Sequence, residues 1–108
     1  MIDFKQYRVN KDLHRKAVKV RGVEDEVHVL RLPAADVRRY WSEMASPDIN
    51  VRAEAGFTTM QKAIRNPDGS EAATLDDFRN MDVDLLKELV RVFQEVHTVT
   101  KDDDLGNA

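Results

Sequence analysis

The chain has 108 residues, of which 42% are apolar and 34% are charged, as expected for one soluble domain of ordinary size. No apolar run approaches the roughly 18 residues of a membrane-spanning helix, and the N-terminus is too polar for a secretory signal peptide. Cysteine is absent, which excludes disulfides, thiolate zinc sites and cysteine nucleophiles. We therefore expect a single-domain cytosolic protein.

The charge is unevenly distributed, although the net charge is only −3. Residues 1–39 contain ten basic and six acidic residues, a balance of +4, whereas residues 40–108 contain seven basic and fourteen acidic residues, a balance of −7. A basic segment on an acidic body could bind nucleic acid, or it could favour head-to-tail contact between copies. The aromatic interleaving of a single-strand binder is missing.

The N-terminal third of the chain predicts an arm followed by a β-hairpin. Residues 1–15 show no sustained hydrophobic period and predict an irregular basic arm. Segments 16–21 and 26–32 then alternate apolar and polar residues on either side of a short turn that contains Gly22. This pattern is typical of a hairpin, and a hairpin of this size must pack on another part of the chain.

Two helices are predicted next. Pro33 suits the first turn of a helix over 34–44, whose apolar side contains Val37, Tyr40, Trp41 and Met44. Ser46 is predicted to cap a second helix of about eighteen residues with Pro47 at its first position. Its apolar face would contain Ile49, Ala53, Phe57, Met60 and Ile64. Gly56, at the edge of that face, could admit a neighbouring helix or could weaken this one.

The acidic and amide side chains of residues 66–78 raise the question of a metal site. Asn66 to Gly69 is strong turn chemistry, and Thr74 followed three residues later by Asp77 resembles a capping box that starts a short helix. An EF-hand calcium loop needs glycine at its sixth position and glutamate at its twelfth, and this stretch has neither in register. We expect a turn and a capped helix.

The last helix is predicted from residue 83 to residue 99, with Asp82 or Asp84 as its N-cap and a flexible charged tail over 101–108. Its apolar side chains spread over about half of the circumference, more than one side of a core usually requires. The helix could be sunk in its own core, or one flank could contact another copy or a partner helix. The predicted protein-binding residues are Tyr40, Trp41, Leu85, Leu89, Val92, Val96 and Val99.

No active site is recognisable in the sequence. The three histidines lack the spacing of zinc ligands, the serines have no nucleophile-elbow context, and the four glycines form no phosphate loop. We predict no catalytic residue, no cofactor and no metal ion. The expected fold is mainly α, with a small N-terminal β-hairpin followed by a bundle of about four helices in one domain over 16–100.

The order of these parts along the chain is informative. A short β element leads into RLPAAD at 31–36, and two helices follow. The DGS turn at 68–70, TLDDF at 74–78, the amphipathic segment LLKELVRVF at 85–93 and GN at 106–107 complete the series. Together these parts, over about residues 20–108, resemble the tail assembly chaperones of long-tailed bacteriophages.

The resemblance implies a small, non-enzymatic helical protein of the host cytoplasm. Such chaperones bind the helical tape-measure protein during tail assembly, keep it soluble and are absent from the finished virion. In many phages, ribosomal frameshifting adds a domain that recruits the tail tube protein; on this resemblance, the chain is expected to be the short form without that domain. Self-association is expected, since opposite charges at the two ends of the chain could order repeated copies.

Two other functions stay open. The basic arm and hairpin could contact phosphates in a small nucleic-acid-binding regulator. The protein could also be a structural tail component that stays in the virion.

Overall fold

The computed structural model describes residues 1–10, 12 and 14–97, so Val99 and the predicted tail over 101–108 lie outside the described residues. Within the described chain, a small antiparallel sheet is followed by four α-helices. This confirms the mainly helical fold with an N-terminal hairpin. Over the same residues, no helix is both long enough and apolar enough to cross a bilayer.

The sheet contains three strands in the order β1-β2-β3: β1 is Arg15–Val18, β2 is Val27–Leu30 and β3 is Ile64–Arg65. Val29, in the middle of β2, lies opposite Lys16 on one side and opposite Ile64 on the other. The hairpin turn includes Gly22 at φ 91°, a backbone region that favours glycine.

The third strand corrects the sequence prediction, which placed Ile64 in the second helix. The backbone of Ile64 is extended, with φ −82° and ψ 123°, so the helix ends at Ala63. The chain then pairs with the second edge of β2 and continues into the turn at residues 66–70. Pairing with β2 occupies backbone groups that an extended segment at that position would otherwise expose.

The helices are α1, Ala34–Met44; α2, Ile49–Ala63; α3, Leu75–Arg79; and α4, Val83–His97. One 3-10 turn, Phe4–Tyr7, interrupts the arm that was predicted to be irregular. The four helices begin close to their predicted starts, because capping and turn residues act over only a few positions.

The N-cap of α2 differs from the prediction. Asp48, and not Ser46, caps this helix: its Oδ1 accepts the backbone N–H of Asn50 at 2.8 Å. Ser46 Oγ instead accepts the N–H of Asp48 at 3.1 Å. Pro47 therefore precedes the cap and is not the first residue of the helix.

The caps of the last two helices agree with the sequence. Thr74 and Asp77 form a reciprocal capping box, in which Thr74 N donates to Asp77 Oδ2 at 2.8 Å and Asp77 N donates to Thr74 Oγ1 at 3.2 Å. At the start of α4, Asp82 Oδ2 accepts the N–H of Asp84 and of Leu85, both at 3.1 Å. Of the two proposed caps, Asp82 is the one used.

The core lies where β2, α2 and α4 pack together with α1 and α3. Its largest fully buried side chains are Tyr40, Phe78, Phe93, Met60, Val29 and Val92. The buried residues of α2 are Ala55, Thr59, Met60 and Ala63, and none of them lies in its first six positions. Ile49 and Ala53 are exposed, contrary to the predicted apolar face, because the first turns of this helix, before Ala55, lie outside the core.

The wide apolar face of α4 is covered mainly by this chain. Leu89, Val92 and Phe93 are buried, and the partly buried side chains that pack against the core include Leu85, Leu86, Val90 and Val96. Among the described residues of α4, Val83 at the N-terminal end is the one strongly exposed large apolar residue, at 60%. The structure thus favours the interpretation of a helix sunk in its own core.

Candidate protein-binding surface

The predicted protein-binding residues occupy different environments and do not form one surface. Tyr40, Leu89 and Val92 are buried, Leu85 and Val96 are half-buried, and Trp41 is exposed. Leu85 and Val96 are eleven positions apart on α4, which separates them by about 16 Å along the helix axis. Of the predicted residues that the structure describes, Trp41 is therefore the one available to a partner without local opening of the core.

Tyr40 anchors Trp41 to the core. The Tyr40 ring makes edge-to-face contacts with Phe93, at 5.0 Å between centroids, and with Trp41, at 5.2 Å. Gln94 Nε2 donates to the Tyr40 hydroxyl at 3.5 Å, a long hydrogen bond. Burial raises the pKa of the Tyr40 hydroxyl, and the hydrogen bond from Gln94 opposes this shift. Tyr40 therefore holds the indole of its neighbour in place and does not itself reach the surface.

Trp41 borders an open cavity of about 540 Å³ between α1 and the end of α4, which we call the Trp41 groove. The groove is formed by Arg31, Leu32, Ala34, Val37, Arg38, Trp41 and His97. Trp41 is 45% exposed, so a large part of an indole that is not needed for core packing is open to solvent. A half-exposed tryptophan beside arginines is a typical composition for a protein interface.

His97 closes one end of the groove and connects α4 to the segment before α1. Its Nε2 accepts the backbone N–H of Leu32 at 2.8 Å, and its Nδ1–H donates to the Phe93 carbonyl at 2.9 Å. This arrangement requires the neutral imidazole. Burial lowers the pKa of His97, as does the nearby Arg31 charge, whereas the Phe93 hydrogen bond opposes the shift.

The rim of the groove is basic. Arg31 and Arg38 are both exposed, and neither makes an ion pair or a side-chain hydrogen bond within the described part of the chain. The apolar residues between them include Leu32, Val37 and Trp41. A segment that carries both apolar side chains and carboxylates has the chemistry that this groove would bind.

The N-terminal arm provides a second exposed apolar surface that sequence reasoning missed. Met1, Ile2, Phe4 and Tyr7 are all strongly exposed. The 3-10 turn brings the rings of Phe4 and Tyr7 to 6.3 Å between centroids, so they lie side by side. Their spacing of three residues was the available signal, but it is too short to establish a periodic pattern.

A hydrogen bond from Arg15 connects the turn at residues 66–70 to β1. Arg15 Nη2 donates to the Pro67 carbonyl at 2.7 Å, and Asp68 Oδ1 accepts from Ser70 N at 2.9 Å and from Ser70 Oγ at 2.6 Å. These bonds from Ser70 lower the pKa of Asp68. The residues that raised the question of a metal site therefore bond to one another in a turn, as the NPDG sequence predicted. The described residues contain no cluster of three or more potential metal ligands.

No protein-family model, curated protein or solved structure matches this chain. Assignment of a function therefore depends on the groove, the arm and the order of parts along the chain.

Proposed function

We propose that this protein is a non-enzymatic phage tail assembly chaperone that binds the helical tape-measure protein and keeps it soluble in the host cytoplasm. The observation that carries the proposal is the Trp41 groove, which combines an exposed indole, apolar walls and two exposed arginines, Arg31 and Arg38. An amphipathic helix that buries its apolar side chains against Trp41 and places carboxylates near Arg31 and Arg38 would match this surface.

The location of the exposed apolar side chains supports a function in contact rather than in catalysis. The core covers the wide face of α4, whereas Trp41 and the aromatic pair Phe4 and Tyr7 remain accessible. We assign client binding to the groove and self-association to the arm. Repeated copies joined through their arms would present repeated grooves, as needed to cover a long apolar helix.

Co-expression with a tape-measure fragment tests the proposal. The wild-type protein is expected to raise the soluble fraction of the fragment and to co-purify with it. Trp41→Ala is expected to weaken both effects, because truncation of a buried interface tryptophan often costs 2 kcal/mol or more, roughly 30-fold in affinity. Ile49→Ala is the matched control, since Ile49 is also strongly exposed but lies outside the groove. A wild-type protein without effect on the fragment would refute the proposal.

A regulator that binds nucleic acid is the second candidate, because exposed arginines also attract phosphate. A gel shift that weakens steeply with salt would support it. A third possibility, a tail component retained in the particle, would be recognised by mass spectrometry of purified virions.

A further inference from the structure

We propose that the N-terminal arm of one copy, residues 1–8, binds in a cavity at the tip of the β-hairpin of a second copy. This cavity has a volume of about 650 Å³ and is formed by residues 17–20 and 23–26. We call it the hairpin cavity. The inference rests on the self-association proposed above for the arm and names the surface that receives it; it does not depend on tape-measure binding.

The walls of the hairpin cavity are apolar. They are formed by Ala17, Val18, Val20 and Val23. Val20 is buried, and its carbonyl accepts the backbone N–H of Val23 at 3.1 Å, so a hydrogen bond within the turn holds two of the wall residues together. An open cavity with aliphatic walls on a formed turn suits an aromatic side chain.

The arm supplies aromatic side chains in a formed local structure. Phe4 and Tyr7 are strongly exposed, and their ring centroids are 6.3 Å apart. Asp3 caps the 3-10 turn that contains both rings, since its Oδ1 accepts the backbone N–H of Lys5 at 3.0 Å. A pair of rings that is already held together by a turn loses less conformational entropy when it binds.

The rim of the hairpin cavity is acidic. Its charged residues are Glu24, Asp25 and Glu26, all exposed, and one cation, Lys19. The three carboxylates therefore exceed the lysine by two charges. Glu26 Oε1 lies 3.0 Å from His28 Nε2, which leaves Glu24 and Asp25 as the carboxylates best placed to meet a basic partner.

The arm has the complementary charge. Lys5 and Arg8 are exposed on the same short segment as the two rings, and the carboxylate of Asp3 is turned towards the backbone of the segment itself. The Trp41 groove would repel this arm, because its charged rim consists of Arg31 and Arg38. Charge thus favours the hairpin cavity over the Trp41 groove as the site for the arm.

A third cavity, at the start of α4, is a poorer match. It is also acidic, with Asp82, Asp84 and Glu88 against Arg21. However, Leu85 is the one aliphatic side chain that the described residues contribute to its lining, and Glu88 already pairs with Arg91. Two aromatic rings would find little apolar surface there, so apolar walls favour the hairpin cavity over this site.

The direction of β1 indicates that the arm comes from a second copy. The arm precedes β1, whereas the hairpin cavity begins at the other end of this strand, and no described residue of the arm lines the cavity. The five residue steps from Arg15 to Val20 span about 17 Å in an extended chain, directed away from the arm. Arm and cavity at opposite ends of a hairpin suit a head-to-tail contact, which leaves a free arm and a free cavity for further copies.

Reversal of charge at the cavity rim tests the acceptor. The variant Glu24→Lys, Asp25→Lys, which we call the rim variant, is expected to weaken self-association by roughly ten-fold or more, because it turns attraction of the arm into repulsion. Sedimentation velocity over a range of protein concentrations measures the effect. Asp76→Lys, Asp84→Lys is the matched control, since both residues are exposed acids outside the hairpin cavity.

Mixing two defective variants tests whether the contact is head-to-tail. The arm variant Phe4→Ser, Tyr7→Ser and the rim variant should each remain largely monomeric alone. Their equimolar mixture should form a dimer and no longer assembly, because the intact arm of the rim variant meets the intact cavity of the arm variant.

A charge swap tests the pairing directly. Lys5→Glu, Arg8→Glu should weaken association alone and restore it when combined with the rim variant in one chain. Circular dichroism verifies that each variant is folded. If the rim variant unfolds, Lys5→Glu, Arg8→Glu replaces it as the charge test, because both residues lie on the exposed arm.

The possible results separate this inference from the proposed function. A folded rim variant or Lys5→Glu, Arg8→Glu variant that associates as the wild-type protein does would overturn the assigned contact. A mixture that stays monomeric would also overturn it. In both cases self-association through the arms stands. A wild-type protein that is monomeric throughout would overturn both this contact and the self-association, whereas capture of the tape-measure fragment is measured independently through Trp41.

Discussion

His97 illustrates how a single side chain can connect distant parts of this chain. Its neutral imidazole accepts from Leu32, sixty-five positions earlier in the sequence, and donates to Phe93 one turn back on α4. Protonation of Nε2 would remove the acceptor for the Leu32 N–H and place a charge beside Arg31. The bond is thus conditional on the charge state of one residue.

The lowered pKa of His97 predicts the direction of a stability change with pH. A histidine whose pKa is lower in the folded than in the unfolded state contributes stability above the unfolded value, about 6.5, and this is lost as pH falls through the folded value. The melting temperature should therefore fall between pH 7.5 and pH 5, where the carboxylates with lowered pKa values are still ionised. His97→Gln should weaken this dependence. An unchanged slope in His97→Gln would contradict the prediction.

Val92 separates the two interpretations of the wide face of α4. Its side chain is 1% exposed, so Val92→Asp places a carboxylate in the core and should unfold the protein rather than only dissociate an assembly. Val92→Ala, which only removes volume, should lower the free energy of unfolding by about 2 kcal/mol. The same truncation at the exposed Val83 should change it by less than about 0.5 kcal/mol. Urea denaturation measures all three, and a folded Val92→Asp protein would favour the interface interpretation.

The buried residues of helix α2 begin at Ala55, and the residues before it lie outside the core. Gly56 lies in that helix, and a Cβ at this position would meet no atom within 4 Å. Of the two roles considered for Gly56, close approach of a neighbouring helix is therefore not the one observed among the described residues. The glycine is a weak point in the helix.

Gly56→Ala is expected to raise the free energy of unfolding by about 0.5–1 kcal/mol, because alanine restricts the unfolded chain and fits the helical backbone. Gly69→Ala should have the opposite effect. The φ of Gly69 is 91°, and a Cβ there would lie 2.6 Å from Arg15 Nη1. Chemical denaturation measures the free energy of unfolding of both variants. Equal changes in the two would contradict the prediction that the backbone conformation at each glycine decides the effect.

The sequence predicted helices more accurately than their packing. Thr74 with Asp77, and Asp82, specify helix starts through atoms only two or three residues away, so their effects are visible in a local pattern. The N-cap of α2 was wrongly predicted because Ser46 and Asp48 both suit the position. β3 was missed for a different reason: two residues are too few for a strand period, and their partner β2 is far away in the sequence.

On the scale of the whole molecule, several large apolar side chains are exposed to solvent and do not belong to the core. Phe4 and Tyr7 are 75% and 74% exposed, although aromatic rings contribute strongly to association when they are buried. The basic arm and the acidic remainder of the chain provide the charge asymmetry for contacts between copies.

Replacing Phe4 and Tyr7 by serine should reduce self-association without lowering the melting temperature, because neither ring belongs to the core. Sedimentation velocity over a range of protein concentrations measures the effect, and loss of the two rings should weaken association by roughly ten-fold or more. Ile49→Ser serves as the control for general loss of surface hydrophobicity. A wild-type protein that remains monomeric throughout would contradict the expectation.

The sequence by itself determined the helix-rich class, the hairpin, the turn at 66–70 and the capping box of α3, since these depend on residues a few positions apart. Only the tertiary structure decided that α4 is covered by its own core, that Ile64 joins the sheet, and that Leu32, Trp41 and His97 form one groove. Those outcomes depend on which surfaces meet across long sequence separations, and hydrophobic burial is non-directional, so periodicity alone does not specify them.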